Sequence, residues 1–335
     1  MKAVLCKRHG GPETLVIEEV PSLRAQAGEV VIAVHAAAVN FPDTLIIENK
    51  YQFKPALPFS PGGEVAGTVK AVGDGVTGFA PGDRVISACG WGGFADEVAV
   101  PQRKVVHLAD GVTMEAGASL LITYGTTHYA LTERARLQSG ETLLVLGAAG
   151  GTGLSAVEIG KLMGARVIAA ASSADKLAFA RRHGADATID YSKEDLRERL
   201  KALTDGRGVD AVYDPVGGAY TEPALRSMAW GGRYLVIGFT AGEIPRPPLN
   251  LPLLKGCSIV GVFYGGFSEH EPQRYQTLLD ELMQWLAQGR VRPAITSRRP
   301  LEEAAAALED VAARRVIGKI VLTTALGRGQ TPVSR

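Results

Sequence analysis

The stretch TLLVLGAAGGTGLSAVEIGKLMGARVIAAASSAD, residues 142–175, decides the fold of this chain. Thr142–Leu146 is an apolar run of strand length, and residues 147–153 supply four glycines. The apolar spacing over residues 154–163 predicts a helix that stops at Gly164, and Arg166–Ala171 reads as a second, parallel strand. Strand, glycine turn, helix and strand in that order make the βαβ unit of a doubly wound, Rossmann-type α/β sheet. A pyrophosphate is met by the unpaired N–H groups at a helix N-terminus, and glycine lets the backbone come close to it. Gly150, Gly151, Thr152 and Gly153 are therefore candidate dinucleotide contacts, although Ala148 stands where a GxGxxG pattern opens.

The end of the second strand selects the cofactor. An NAD-binding chain places a carboxylate there for the ribose 2′-hydroxyl, whereas this chain has Ala171, Ser172 and Ser173. Ser173 and Lys176 offer a hydrogen bond and a positive charge to a 2′-phosphate, and Tyr191, just after the apolar run 187–189, lines the same pocket. NADPH is the expected cofactor.

Outward from this unit, apolar runs recur at residues 143–146, 167–170, 187–189, 211–213, 234–237 and 259–262, the count of a six-stranded doubly wound sheet. Before residue 120 the chain is β-rich instead. Short β-branched runs at residues 2–7, 15–20, 30–39, Val65–Val72, Arg84–Ser87 and 94–100 are punctuated by turns such as Pro61-Gly62-Gly63 and Pro81-Gly82-Asp83. After residue 265 a helix presents Tyr275, Leu278, Leu279, Leu282 and Leu286 on one face and stops at Gly289. The expected division is residues 124–264 for the dinucleotide-binding domain and residues 1–123 with 265–335 for the other.

Composition narrows the function classes. The chain has 335 residues, 46% hydrophobic and 21% charged, with 36 basic against 35 acidic residues for a net charge of +1. That balance gives no reason to expect nucleic acid or an anionic membrane as partner. The N-terminus lacks a signal-like apolar core and no run approaches a spanning length, so a cytoplasmic location is expected. Cys6, Cys89 and Cys257 are far apart and the six histidines are scattered, which fits neither a disulfide framework nor a metal site.

The motifs VNFPDT (residues 39–44), PGGEVAGTVKAVG (61–73), GDRV (82–85), GGFADEVAVP (92–101), LGAAGGTG (146–153), GADATIDY (184–191), YDPVGG (213–218) and GKIVL (318–322) resemble the medium-chain dehydrogenase/reductase superfamily. Within it the chain is similar to the zinc-free quinone oxidoreductase family, NADPH:quinone reductases. The resemblance implies a β-rich GroES-like catalytic domain beside the Rossmann domain. The alcohol-dehydrogenase branch holds zinc with a Cys near the position of Asn40 and a His in a GHE motif, where this chain has Gly62-Gly63-Glu64. Without that Lewis acid, alcohol oxidation loses its main driving force and reduction of an activated acceptor remains.

The resemblance implies hydride transfer from NADPH to a quinone or related conjugated carbonyl. Asn40 would give its amide N–H to the developing oxyanion and Tyr51 a hydrogen bond or proton. Asp43 and Glu64 are secondary candidates, Glu64 as an anchor of the turn behind the cofactor. Tyr124 and Thr126 would touch the nicotinamide side. Gly217, Gly238, Phe239, Thr240, Phe263 and Tyr264, after strand ends, would complete the cofactor contacts. Phe41, Trp91, Phe94, Phe263 and Tyr264 would line an acceptor pocket between the domains, and a homodimer is expected. The alternatives are an NADPH-dependent reductase of 2-enoyl thioesters or alkenals, and an NADPH-binding protein with little turnover.

Overall fold

β-Branched runs broken by Gly and Pro cannot propagate as helix, and the first part of the chain accordingly folds as β-structure. In the computed structural model, which describes residues 1–329, these six runs form β1 (Lys2–Leu5), β2 (Val16–Glu19), β3 (Glu29–Ala38), β4 (Val65–Val72), β5 (Arg84–Ser87) and β6 (Glu97–Pro101), and a seventh strand outside them, β7 (Val105–His107), follows. Six strands follow at the expected places: β8 (Thr142–Leu146), β9 (Arg166–Ala171), β10 (Ala187–Asp190), β11 (Val209–Asp214), β12 (Met228–Val236) and β13 (Ser258–Gly261). The chain then adds β14 (Ile295–Pro300) and β15 (Lys319–Thr323).

Two compact units result: Met1–Ile122 with residues 292–329, and Thr123–Val291. In the first, a seven-stranded sheet runs β14-β15-β3-β4-β5-β7, with β6 also on β3. β3 is long enough to hold three partners, because β6 pairs residues Glu29 to Ala33 and β15 pairs Ala36 to Ala38. The C-terminal return is thus stitched beside the strand that leads into Asn40. The core under this sheet includes Ile32, Val34, Ile47, Val65, Val85 and Phe94, all fully buried, and each such side chain contributes about 1.5–3 kcal/mol by leaving water. Phe94 lies ahead of β6 rather than in it, and its ring occupies the space where a Cβ at Gly62, φ +93°, would stand. It is a core residue, so the expectation that it lines an acceptor pocket is corrected.

The second unit is a six-stranded sheet in the order β10-β9-β8-β11-β12-β13, every pair parallel. β8 is buried along its whole length. Residues 265–291 group with this unit and not with the first. The helix Pro272–Ala287 explains the difference: it packs on the helix Thr123–His128, and the His128 and Trp285 rings lie 5.0 Å apart. Among the described residues, no helix is long and apolar enough to cross a membrane.

Candidate active site

Because the sheet of the second unit is parallel, the segments after its strands emerge on one edge. The direction of winding reverses between β8 and β11, and ligands of open α/β sheets bind at such a switch point. The helix after β8 spans Gly151–Leu162, so it opens three residues earlier than its apolar spacing suggests, with Gly150 as N-cap. Gly150, Gly151 and Thr152 are half-buried and Gly153 is buried. A Cβ at Gly153 would overlap the Gly147 carbonyl oxygen and lie 2.8 Å from Ala148 Cα, whereas one at Gly150 would sit 3.6 Å from the same oxygen, an ordinary contact. Gly153 is required for close packing of helix on turn. The first N–H groups of this twelve-residue helix have no intrahelical acceptor and fit a pyrophosphate.

A buried hydroxyl network holds the first helical turn. Thr127 Oγ1 lies 2.6 Å from Ser155 Oγ and 2.9 Å from the Tyr213 hydroxyl, and Ser155 donates to the Thr152 carbonyl at 2.9 Å. Sequence reasoning missed these three residues, since a lone Thr, Ser or Tyr in an apolar run carries no signal. Thr126 is the one residue of the helix Thr123–His128 that retains exposure. Tyr124 is buried and donates its hydroxyl to Glu158 Oε2 at 2.7 Å, and the other oxygen of that carboxylate, Oε1, lies 2.9 Å from His183 Nδ1. The Tyr124 phenol therefore serves helix packing, which corrects its expected place on the cofactor. The Tyr264 hydroxyl abuts Gly125, where a Cβ would overlap it, so Tyr264 and Thr126 belong to one locality, with Phe263 exposed beside them.

Ser173, Lys176 and Tyr191 gather at the ends of β9 and β10. Ser173 caps the helix Ala174–Arg182 by accepting from the Lys176 backbone N–H, and Lys176 Nζ reaches Ser172 Oγ at 3.5 Å. The Tyr191 N–H donates to the Ala171 carbonyl at 3.2 Å, and Ser192 Oγ to that of Ser172 at 3.3 Å. No carboxylate stands at residues 171–173. At the end of β11, buried Asp214 accepts from the N–H groups of Val216 and Gly217 at 2.7 and 2.8 Å, shaping the turn at Gly217, φ +69°. Gly238, Phe239 and Thr240 follow β12 and are half-buried, with Phe239 packed where a Cβ at Gly217 would lie 3.0 Å away.

In the first unit, Asn40 starts the helix Phe41–Ile47 and lies in a buried ionic network. Its amide donates to Glu64 Oε2 at 3.1 Å and to the Ala38 carbonyl at 3.3 Å, while its oxygen accepts from Lys319 Nζ at 2.6 Å. An ammonium only donates, so this amide orientation is dictated by Lys319. Both amide hydrogens are engaged, and Asn40 has none to give an oxyanion. Its expected role as oxyanion donor is corrected to that of a bridge. Asp43 accepts the N–H groups of Asn40 at 2.8 Å and Gly63 at 3.0 Å; Glu64 Oε1 accepts that of Ile122 at 3.0 Å.

Burial dominates the electrostatics here. It pushes the Asp43 carboxyl up to about 7 against the pull of two N–H groups and Lys319. It raises Glu64 and lowers Lys319. Two carboxylates and one ammonium, all buried, would together carry an uncompensated negative charge if all were ionised, and this opposes ionisation of both carboxyls. The Cys89 thiol, pushed up to about 12 by burial, stays neutral and donates to the Gly62 carbonyl at 3.4 Å. Tyr51 packs on the core edge-on to Phe53, and burial, then the Asp43 charge, raise its phenol. The Lys50 N–H bonds the Leu45 carbonyl at 2.8 Å, tying the segment that leads to Tyr51 to the Asn40 helix. Lys319 was legible only as part of the GKIVL motif. Among the described residues, no three His, Cys, Asp or Glu side chains are grouped to hold a metal ion.

Comparison with known proteins agrees with a GroES-like unit and a Rossmann-type unit in one chain. The model of the alcohol dehydrogenase GroES-like domain matches residues 26–110, and that of the zinc-binding dehydrogenase family matches residues 151–284. A quinone oxidoreductase of Pseudomonas aeruginosa is 37% identical over 96% of this chain and 99% of its own. A quinone oxidoreductase-like protein 2 homolog of Nematostella vectensis is 38% identical over 96% and 89%. The crystal structure of Escherichia coli quinone oxidoreductase complexed with NADPH superposes with a TM-score of 0.90 at 29% identity, over 96% of this chain and all of that one. With a GroES-like unit, a Rossmann unit and these relatives, the chain is an oxidoreductase that belongs to the zinc-free quinone oxidoreductase family of medium-chain dehydrogenases/reductases.

Proposed function

We propose that this oxidoreductase uses NADPH to reduce a quinone or a related conjugated carbonyl. The observation that carries the cofactor choice is the gathering of Ser173, Lys176 and Tyr191 at the ends of β9 and β10 with no carboxylate among residues 171–173. NADPH, which the Escherichia coli relative holds, supplies the hydride when bound. The first turn of the Gly151–Leu162 helix receives the pyrophosphate, and Lys176 meets the 2′-phosphate. Tyr51 is held protonated and gives its proton to the oxygen of the reduced acceptor. Hydride and proton together add two electrons to the quinone and yield the hydroquinone. Asn40, fixed between Lys319 and Glu64, sets the start of the helix that leads to Tyr51.

Steady-state oxidation of NADPH and NADH, with a benzoquinone, a naphthoquinone, a conjugated enone and an enoyl thioester in the presence of a chelator, tests the reading. NADPH-selective turnover on the quinones is expected. Turnover confined to the enone or thioester would overturn it in favour of an alkene reductase, and tight NADPH binding without turnover in favour of a cofactor-binding protein.

The same reading includes a homodimer in the cytoplasm. β13 is the edge strand of its sheet, and Trp230, 82% exposed, Leu253, Leu254 and Ile259 lie exposed around it. Such an edge needs a cover. Light scattering on the purified chain should give twice the chain mass, and Ile259→Arg should lower it; a monomer at all concentrations would refute the assembly.

A further inference from the structure

The Tyr191 ring lies against the Tyr220 ring, centroids 4.1 Å apart and planes inclined by 35°. The two residues come from different strand ends, Tyr191 following β10 and Tyr220 lying in the turn after β11. Both are half-buried and pack on the core of the second unit. The turn that carries Tyr220 is rigidly held. Its anchor, Asp214, accepts from Val216 N–H, Gly217 N–H, Thr221 Oγ1 at 3.2 Å and the Tyr234 hydroxyl. Gly217 and Gly218 give it two consecutive left-handed residues, φ +69° and +62°. Tyr191 in turn is fastened by its N–H to the Ala171 carbonyl, beside the segment that bears Ser173 and Lys176. A half-exposed tyrosine at a strand end has alternative rotamers; a tilted ring packed against it from a turn held by four hydrogen bonds restricts them.

We propose that Tyr220 is a positioning residue for cofactor selectivity: by packing its ring against Tyr191 it holds that phenol in the Ser173–Lys176 locality and so favours NADPH over NADH. This rests on the assignment of Ser173, Lys176 and Tyr191 to the 2′-phosphate. The hydroxyl of Tyr191 and the charge of Lys176 make the contact; Tyr220 contributes only its ring.

Dissociation constants of NADPH and NADH, measured by fluorescence titration of the intact chain, test the proposal. Tyr220→Ala should weaken NADPH about three- to tenfold, the range of an aromatic pair, and leave NADH within about twofold. Tyr220→Phe keeps the ring and should restore the wild-type ratio of the two constants. Tyr220→Leu, which keeps apolar cover over the core without a ring, should behave as the alanine variant and serves if that one does not fold. An unchanged ratio in Tyr220→Ala and Tyr220→Leu, with a lowered preference in Tyr191→Phe, would overturn the role of Tyr220 alone. An unchanged ratio in Tyr191→Phe and Lys176→Ala would overturn the 2′-phosphate assignment and this proposal with it.

Discussion

Lys319 Nζ lies 2.6 Å from Asn40 Oδ1, joining the last strand of the first unit to the start of its first long helix across 279 positions of sequence. The same ammonium reaches the Val39 carbonyl at 3.3 Å and stands 3.9 Å from Glu64 Oε2. Removing it leaves buried carboxyls without their cation. Lys319→Met should therefore lower stability by about 3–5 kcal/mol in urea unfolding, and Glu64→Gln in the same chain should restore part of the loss. A loss below about 1 kcal/mol would show that the network is not an electrostatic unit.

The Asp43 carboxyl gives the network a pH dependence. Its folded value, about 7, exceeds the unfolded value of about 3.9, so the folded state binds more protons between them. Stability from this group is full below the unfolded value and is lost as pH rises through about 7. Stability measured by urea unfolding from pH 4 to 8 should carry this falling component. Asp43→Asn, though less stable overall because the two N–H groups bind different carboxyl oxygens and an amide puts an NH2 donor in place of one of them, should flatten it; an identical slope would place the titration elsewhere.

Two glycines of one turn should respond differently. Gly153→Ala drives a Cβ into the backbone of Gly147 and Ala148 and should reduce NADPH affinity by more than about tenfold and lower the thermal midpoint. Gly150→Ala meets only an ordinary contact and should change the midpoint little. Equal effects in a melting experiment would contradict the packing argument.

Lys176→Ala removes the proposed charge-assisted contact to the 2′-phosphate, of a kind worth about 1.5–3 kcal/mol. NADPH affinity should fall accordingly in titration calorimetry while NADH affinity stays nearly constant. Equal weakening of both would remove Lys176 from the 2′-phosphate site.

Tyr51→Phe removes the proposed proton donor and keeps the ring that packs on the core. Turnover should fall about 10²-fold or more with the NADPH dissociation constant within about twofold. Unchanged kcat would take Tyr51 out of the reaction.

The Rossmann unit was legible because its signals are local: β8 is a continuous apolar run, Gly153 marks the close approach, and the missing carboxylate at residues 171–173 is visible in the sequence itself. The start of the Gly151–Leu162 helix was not, since its first turn is built from residues that carry no apolar period. Tyr124 and Asn40 were found as residues of the right segments, but their partners Glu158 and Lys319 were not, and the partners redefine what each side chain can do.

The sequence by itself determined the β-rich and α/β halves, the glycine turn and the NADPH-leaning end of β9, because period and backbone demands are written in consecutive residues. Only the tertiary structure decided that Phe94 is core, that Lys319 clamps Asn40, that residues 265–291 join the second unit and that Tyr220 backs Tyr191. Those pairings depend on strand order and register, which bring side chains together across long separations and leave no trace in local pattern.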